Sequence, residues 1–245
     1  MYVTPKRIIT LIGDSFVGFN NAKDNEFILS QISEKGYNSD KMDALLATNT
    51  NADQKFHNFE VKIGERIQAT LDLEAKLTEE MNYYANDRKL AFKTFGGEED
   101  LAIRNQLGID VPLKKSFNGF IEQSQQFYDT ILKKKEILER VAEFLMTAAK
   151  IQERLNGLHA LRVLNDLQEQ SKGDAAIAKK ERNETYRALR IVWGKFKTVC
   201  LIVFENNQEH LKKLNIRPPA VRTKTGTTSN GSTTTVKVEM PADME

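Results

Sequence analysis

Apolar positions recur along this chain mainly at intervals of three and four, the period of an amphipathic helix. The clearest stripe runs through Leu45, Ala52, Phe56, Phe59, Ile63, Ile67, Leu71, Leu77, Met81 and Tyr84, with a weak point at Thr48-Asn49-Thr50-Asn51. Gly36 reads as the stop of a helix beginning near Asp14, and Asn38-Ser39-Asp40 as the cap of the next. Gly96-Gly97 ends the long stripe, Glu98-Glu99-Asp100 opens a short helix at its favoured acidic end, and Gly108 closes it. A second series begins at Ser116. Its stripe is Leu138, Val141, Phe144, Leu145, Ala148, Ile151, Leu155, Leu158 and Leu161. Around Gly173, residues 169–175 read as a turn or insertion. An amphipathic run then continues to Phe204, and Glu205 to Ile216 closes the series.

The two series share words. Ser15-Phe16-Val17-Gly18-Phe19 and Ser116-Phe117-Asn118-Gly119-Phe120 differ only at the third position. Leu107-Gly108-Ile109-Asp110-Val111-Pro112 and Leu214-Asn215-Ile216-Arg217-Pro218-Pro219 end them alike, and His57 and His159 fall at similar offsets. One pentapeptide match is expected on the order of once by chance in a chain of this size; its placement at the head of each series carries the weight. The expectation is a tandem duplication: an all-α, elongated antiparallel helical bundle of two related halves, with extended N- and C-terminal segments.

The divisions expected are an extended segment at 1–13, a helical unit at 14–110, a proline hinge at 111–115, a second unit at 116–216 and a tail at 217–245. Pro5 and the β-branched pair Ile8-Ile9 favour a strand over a helix in the first segment. Asp14 and Ser15 then read as N-cap residues. The tail is rich in Thr, Gly and Ser, which is linker composition, yet residues 234–240 alternate like a strand. That strand is expected either to stay unstructured or to pair with another edge, such as residues 6–12 of this chain or of a neighbour. Ile8, Ile9, Leu11, Val236, Val238 and Met240 are the candidate assembly positions.

Composition narrows the function classes. Apolar residues are 40% and charged residues 29%, with formal charge +2, so no global field points to nucleic acid or acidic lipid. Cys200 is the only cysteine, which excludes an intramolecular disulfide. The N-terminal run Ile8 to Ile12 is too short for a signal-peptide core, and the run Thr198 to Phe204 is far below spanning length. The expected location is the cytoplasm, with no membrane contact.

Ile9-Thr10-Leu11-Ile12-Gly13-Asp14-Ser15-Phe16 resembles the first block of the SGNH (GDSL-type) hydrolases, an apolar strand followed by Gly-Asp-Ser and a helix. The resemblance implies an α/β fold, with Ser15 as nucleophile on a sharp turn and backbone donors aimed at an oxyanion. In that family an Asp-x-x-His block near the C-terminus supplies the base. Here the late histidine is His210, position 207 is Asn, and no Gly-x-Asn-Asp block is present. If the halves are related, Ser116 is the counterpart of Ser15, preceded by Lys115, and Ser15 is an N-cap.

His57 and His159 lack a His-x-x-x-His or Glu-x-x-His partner and read as partly buried helix residues, not metal ligands. Lys133-Lys134-Lys135, Lys179-Lys180 and Lys212-Lys213 are interleaved with acids, the pattern of a solvated helix face. Gly96-Gly97 precedes acids, the wrong charge for a phosphate loop. The helical part as a whole resembles a loose class of uncharacterised bacterial proteins with paired long helices and short Leu-Gly-Ile stops, which implies no activity. The expected function is therefore non-enzymatic: a structural or interaction protein that assembles with itself as a homo-oligomer or polymer, or with another protein, and uses no cofactor, metal or catalytic residue. The alternatives are a hydrolase using Ser15 and a nucleic-acid-binding helical protein.

Overall fold

A computed structural model describes residues 4–218, 222–224 and 236–238. The fold is all-α, with eight helices packed on one another among the described residues. They are α1 (Pro5–Asp24), α2 (Glu26–Ser33), α3 (Ser39–Thr94), α4 (Leu101–Leu107), α5 (Phe117–Lys133), α6 (Lys135–Ala142), α7 (Ala148–Val203) and α8 (Gln208–Lys213). A 3-10 turn at Glu98–Asp100 leads into α4.

The chain from Pro5 to Gly13 is helical, not extended. Pro5 sits in the first turn, where its fixed φ suits a helix and its missing N–H costs nothing. Ile8 is buried while Ile9 is 55% exposed, and Ile8, Ser15, Phe19 and Ala22 form one buried stripe at helical spacing. Burial of that stripe outweighs the small helix penalty of two β-branched residues. Ile8, Ile9 and Leu11 are therefore helical and cannot serve as assembly strands, and Asp14 and Ser15 lie inside α1 instead of capping it. The helix expected to reach Lys35 is two helices. Asn25 is extended at the junction, and its Oδ1 accepts from Ile28 N at 3.0 Å to cap α2.

Other stops are as the local chemistry dictates. Gly36, at φ 84°, closes α2 while Tyr37 N donates to Ile32 O at 3.1 Å. Asn38 Oδ1 caps α3 through Lys41 N at 3.0 Å. Gly108 closes α4 at φ 64°, and Ser116 Oγ accepts from Gly119 N to cap α5. Two expected breaks are absent. α3 runs through Thr48–Asn51 because Thr48 bonds back to Ala44 O and Asn49 turns inward. α7 runs through residues 169–175, where the Lys172–Glu169 pair lies on the exposed face and Ala175 is buried. A break does occur within the second expected stripe: Leu145, at φ 66°, ends α6.

The elements of the second series follow the first in order and size. α2 and α6 each have 8 residues, and α3 and α7 each have 56. Laid on each other by their helix ends, Asn25 falls on Lys134, Gly36 on Leu145, Ser39 on Ala148 and Thr94 on Val203. Buried residues then coincide: Ile28 with Ile137, Ile32 with Val141, Met42 with Ile151, Tyr84 with Trp193, Phe95 with Phe204. In this register Ser15 corresponds to Ser124, not Ser116. Both are buried, and both bond back to carbonyls of their own helix, Leu11 O and Phe120 O, at 2.6 Å. The shared pentapeptide is out of step with the helices.

The chain divides into two compact units, Met1–Phe59 with Ala178–Glu245, and Glu60–Ile177. Each unit draws its first two helices and the start of a long helix from one series, and the end of the other long helix from the other. The first unit has a core of Phe19, Ile28, Ile32, Met42, Trp193, Phe196 and Leu214. Phe19 meets Trp193 and Phe196 edge-on at 5.4 and 5.1 Å. The second has a core of Tyr84, Phe95, Leu107, Phe120, Phe127, Tyr128 and Ile151. Burying each such side chain contributes about 1.5–3 kcal/mol.

In the tail, Arg222–Lys224 pairs antiparallel with Val236–Val238, Thr223 opposite Lys237. The strand around Val236 and Val238 thus has its partner in the tail itself and not in residues 6–12; Met240 lies outside the described residues.

Candidate anion-binding groove

The first three turns of α1 and residues 186–197 of α7 line a groove of about 740 Å³ in the first unit. Its rim carries Lys6 and Arg7 from α1 and Arg190 and Lys197 from α7, with Asp14 as the one acid. Helical spacing puts the side chains there: Lys6, Arg7, Thr10 and Asp14 follow one face of α1, and Tyr186, Arg190, Trp193 and Lys197 one face of α7. Trp193 forms the floor. It is 5% exposed, stacked on Phe196 at 5.7 Å, with Lys197 Nζ 5.9 Å from its ring centroid.

None of the four cations forms an ion pair among the described residues. Other lysines of the same unit do: Lys23 with Asp43 at 2.6 Å and Lys55 with Glu181 at 2.8 Å. Asp14 Oδ1 accepts from Asn215 Nδ2 at 2.8 Å. Lys6 and Arg7 also stand at the positive end of the α1 dipole, where the first turn holds no acid. Each such cation is unfavourable by about 0.3–1 kcal/mol, and a bound anion reverses the sign.

The corresponding positions of the second unit are engaged with the chain that leads into α5. In the same register Lys197 falls on Arg88 and Asp14 on Gln123. Arg88 donates to Ile109 O at 2.6 Å and to Val111 O. Gln123 Nε2 donates to Pro112 O at 3.2 Å, and its Oε1 accepts from Lys114 N at 2.9 Å. The segment 111–115, expected as a hinge, is held to α3 and α5 by these bonds. In the same register that segment corresponds to the chain leading into α1, of which residues 1–3 lie outside the described residues and Lys6 lines the groove.

The residues singled out by sequence fall elsewhere. Ser15 Oγ is buried, donates to Leu11 O and accepts from Asn49 Nδ2 at 2.7 Å, while Asn49 also donates to Ile12 O at 2.8 Å. The strand-to-helix turn that the hydrolase resemblance implies is absent, since Gly13, Asp14 and Ser15 are mid-helix. His57 and His159 are exposed instead of partly buried, and their corresponding positions hold Asp166 and Thr50. His210 packs between Phe27 and Phe204 at 5.0 and 5.3 Å. Burial pushes the Cys200 thiol up to about 12, so it stays protonated. Among the described residues, no group of three or more His, Cys, Asp or Glu could hold a metal ion. No described helix is long and apolar enough to cross a membrane.

The second unit contains a shallower cleft of about 400 Å³ lined by Glu65, Asp72, Asp174, Leu164 and Leu167. Lys62 lies 2.7 Å from Glu65 and 3.8 Å from Asp174, so that acidic surface is partly neutralised from within.

The groove escaped the sequence reading because its halves lie at opposite ends of the chain. Two local signals pointed to it: a basic first turn with no acid, and Arg190 and Lys197 spaced seven apart on one helix face. No protein-family model, curated protein or solved structure matches the chain.

Proposed function

We propose that this protein acts by binding and not by catalysis, as a duplicated helical scaffold whose first unit takes an anionic partner in the Lys6–Arg7–Arg190–Lys197 groove. The observation that carries the reading is four cations converging on one groove without acid partners, in a unit whose other lysines include acid-paired ones. Ser15 and Cys200 support it from the other side, because their polar groups are engaged or buried in packing. Nucleic acid fits less well. Single strands need exposed rings on which bases stack, and Trp193 gives its faces to the core.

Trp193 is the only tryptophan, so its fluorescence reports the groove directly. Titration of the full chain with poly-glutamate and with inorganic polyphosphate should give a saturable change for at least one of them. The change should be abolished by Lys6→Glu/Arg7→Glu/Arg190→Glu/Lys197→Glu. A wild-type protein indifferent to both polyanions would overturn the reading.

Self-association is the second reading, and the observation favouring it has moved from strands to a helix face. Ile9, Phe16 and Val17 of α1 are 55%, 50% and 40% exposed. Light scattering over a concentration series, on wild type and Phe16→Glu, tests it: mass that rises with concentration only in the wild type supports the reading, and two monomers end it.

A further inference from the structure

The outward face of α1 carries an apolar strip with an opposite charge at each end. Ile9, Phe16 and Val17 flank Gly13 at helical spacing and are 55%, 50% and 40% exposed. A Cβ at Gly13 would meet nothing within 4 Å, so the middle of the strip is open. Lys6 and Asp24 are exposed and stand on one line of the helix, about five turns or 27 Å apart by the helical rise. Neither forms an ion pair among the described residues, and Asp24 accepts from Asn20 Nδ2 at 2.7 Å.

The same face of α5 has neither feature. In the register set by the helix ends the buried positions agree: Ser15 with Ser124, Phe19 with Tyr128, Ala22 with Ile131. The outward positions do not. Asn118, Glu122, Gln125 and Gln126 stand where α1 has Ile9, Gly13, Phe16 and Val17. Lys115 and Lys133 stand where it has Lys6 and Asp24, so both ends carry one sign. The fold needs no apolar residue at these positions, and packing within the unit does not explain those of α1.

We infer that α1 pairs antiparallel with α1 of a second copy of this chain, about a two-fold axis at Gly13, with Ile9 against Phe16 and Val17 and Lys6 against Asp24. The inference rests on the self-association reading above and specifies its geometry. A two-fold contact needs a surface that complements itself, and this strip does so in one direction. Antiparallel, Ile9 lies beside Val17 of the second copy, and Lys6 beside Asn20, one turn from Asp24. Helical side chains tilt toward their own N-terminus, which leans Lys6 and Asp24 toward each other. The Asp24 carboxylate then also meets the positive end of the opposing helix dipole. Parallel, Lys6 would meet Lys6. Contact through one helix per copy is small against the roughly 1,200 Å² of a standard interface, so the dimer is weak and concentration-dependent.

The test uses the full chain, followed by light scattering over a concentration series. Mass should climb from monomer toward dimer. Lys6→Glu and Asp24→Lys should each weaken the dimer roughly fivefold or more, because the contact occurs twice per dimer. Lys6→Glu/Asp24→Lys should restore it. The two residues are too far apart within one chain to rescue each other there. Each single change also puts the favoured charge at its helix end, so melting curves should not fall. Cysteine cross-linking fixes the direction, and the native Cys200 is buried and silent. Under mild oxidation Gly13→Cys should link to itself. Ile9→Cys should link to Val17→Cys when the two are mixed, but not to itself. Ile9→Cys linking to itself, or a charge-swapped double variant that stays weak, would overturn the antiparallel pairing while leaving self-association in place. A chain that stays monomeric at every concentration would end both.

Discussion

Ser15 and Asn49 meet at 2.7 Å inside the first unit, the amide donating to the hydroxyl while also donating to Ile12 O. Asn49 is 2% exposed, so this bond ties α3 to α1 away from water. Ser15→Ala leaves Asn49 its second acceptor and should cost about 1 kcal/mol in urea unfolding. Asn49→Asp should cost about 3–5 kcal/mol, because it buries a charge and removes both donations. At the corresponding place the second unit has Ser124 and Leu158, and Ser124 bonds only carbonyls of its own helix. Asn49→Leu should therefore be tolerated better than Asn49→Asp.

Gly36 and Leu145 both hold left-handed backbone at the same helix stop, φ 84° and 66°. The strain differs, because only leucine has a Cβ to clash, at about 1–2 kcal/mol. Leu145 is also 74% exposed and loses little packing when removed. Leu145→Gly should raise stability by about 1 kcal/mol, and Gly36→Ala should lower it by a similar amount. The urea midpoint should move with an unchanged slope.

Two glycines of α1 should respond in opposite directions to alanine. A Cβ at Gly13 meets nothing within 4 Å, so Gly13→Ala should stabilise by about 0.8–1 kcal/mol through helix propensity. A Cβ at Gly18 would lie 2.5 Å from Trp193 Cη2 and 2.9 Å from Leu214 O, so Gly18→Ala should destabilise by about 1–3 kcal/mol. Thermal unfolding of both variants checks this. A strand-to-helix turn at Gly13 would instead make Gly13→Ala costly.

Stability should fall on the alkaline side. Burial pushes Tyr84 up to about 12 from 10.0 and Cys200 up to about 12 from 9.0. Tyr128 is pushed upward by burial and then by the Asp87 carboxylate that its hydroxyl bonds at 2.9 Å. Each folded value lies above the unfolded one. The contribution is complete below about pH 9 and is lost as pH rises through 12. Tyr84 Oη has no hydrogen-bond partner among the described residues, so Tyr84→Phe should flatten this limb at little cost near neutrality. On the acid side, Arg140 holds the Asp100 carboxyl below its ordinary 3.8 through bonds of 2.6 and 2.7 Å. That contribution is present above 3.8 and lost as pH falls below it. Urea midpoints across pH, on wild type and Tyr84→Phe, test both limbs.

The legible parts of the fold were those decided within one or two turns of chain. Gly36, Asn38, Gly108 and Ser116 stop or start helices by their own backbone or side-chain chemistry, and each does so where the sequence places it. Residues 5–13 were misread because propensity pointed to a strand while burial of Ile8 beside Phe19 and Ala22 decided for a helix. The stops at Asn25, Lys134 and Leu145 carried no glycine to announce them. The repeat words misaligned the two series because Ser15 and Ser116 share neighbours but not a structural position. The groove was illegible for a simpler reason: Lys6 and Lys197 share a groove only once α1 and α7 pack.

Amide hydrogen exchange of the full chain with and without poly-glutamate tests the groove most directly. The account predicts slowed exchange confined to residues 5–14 and 186–197, lost in Arg190→Glu/Lys197→Glu. Protection centred instead on residues 110–123, or none at saturating peptide, would contradict it.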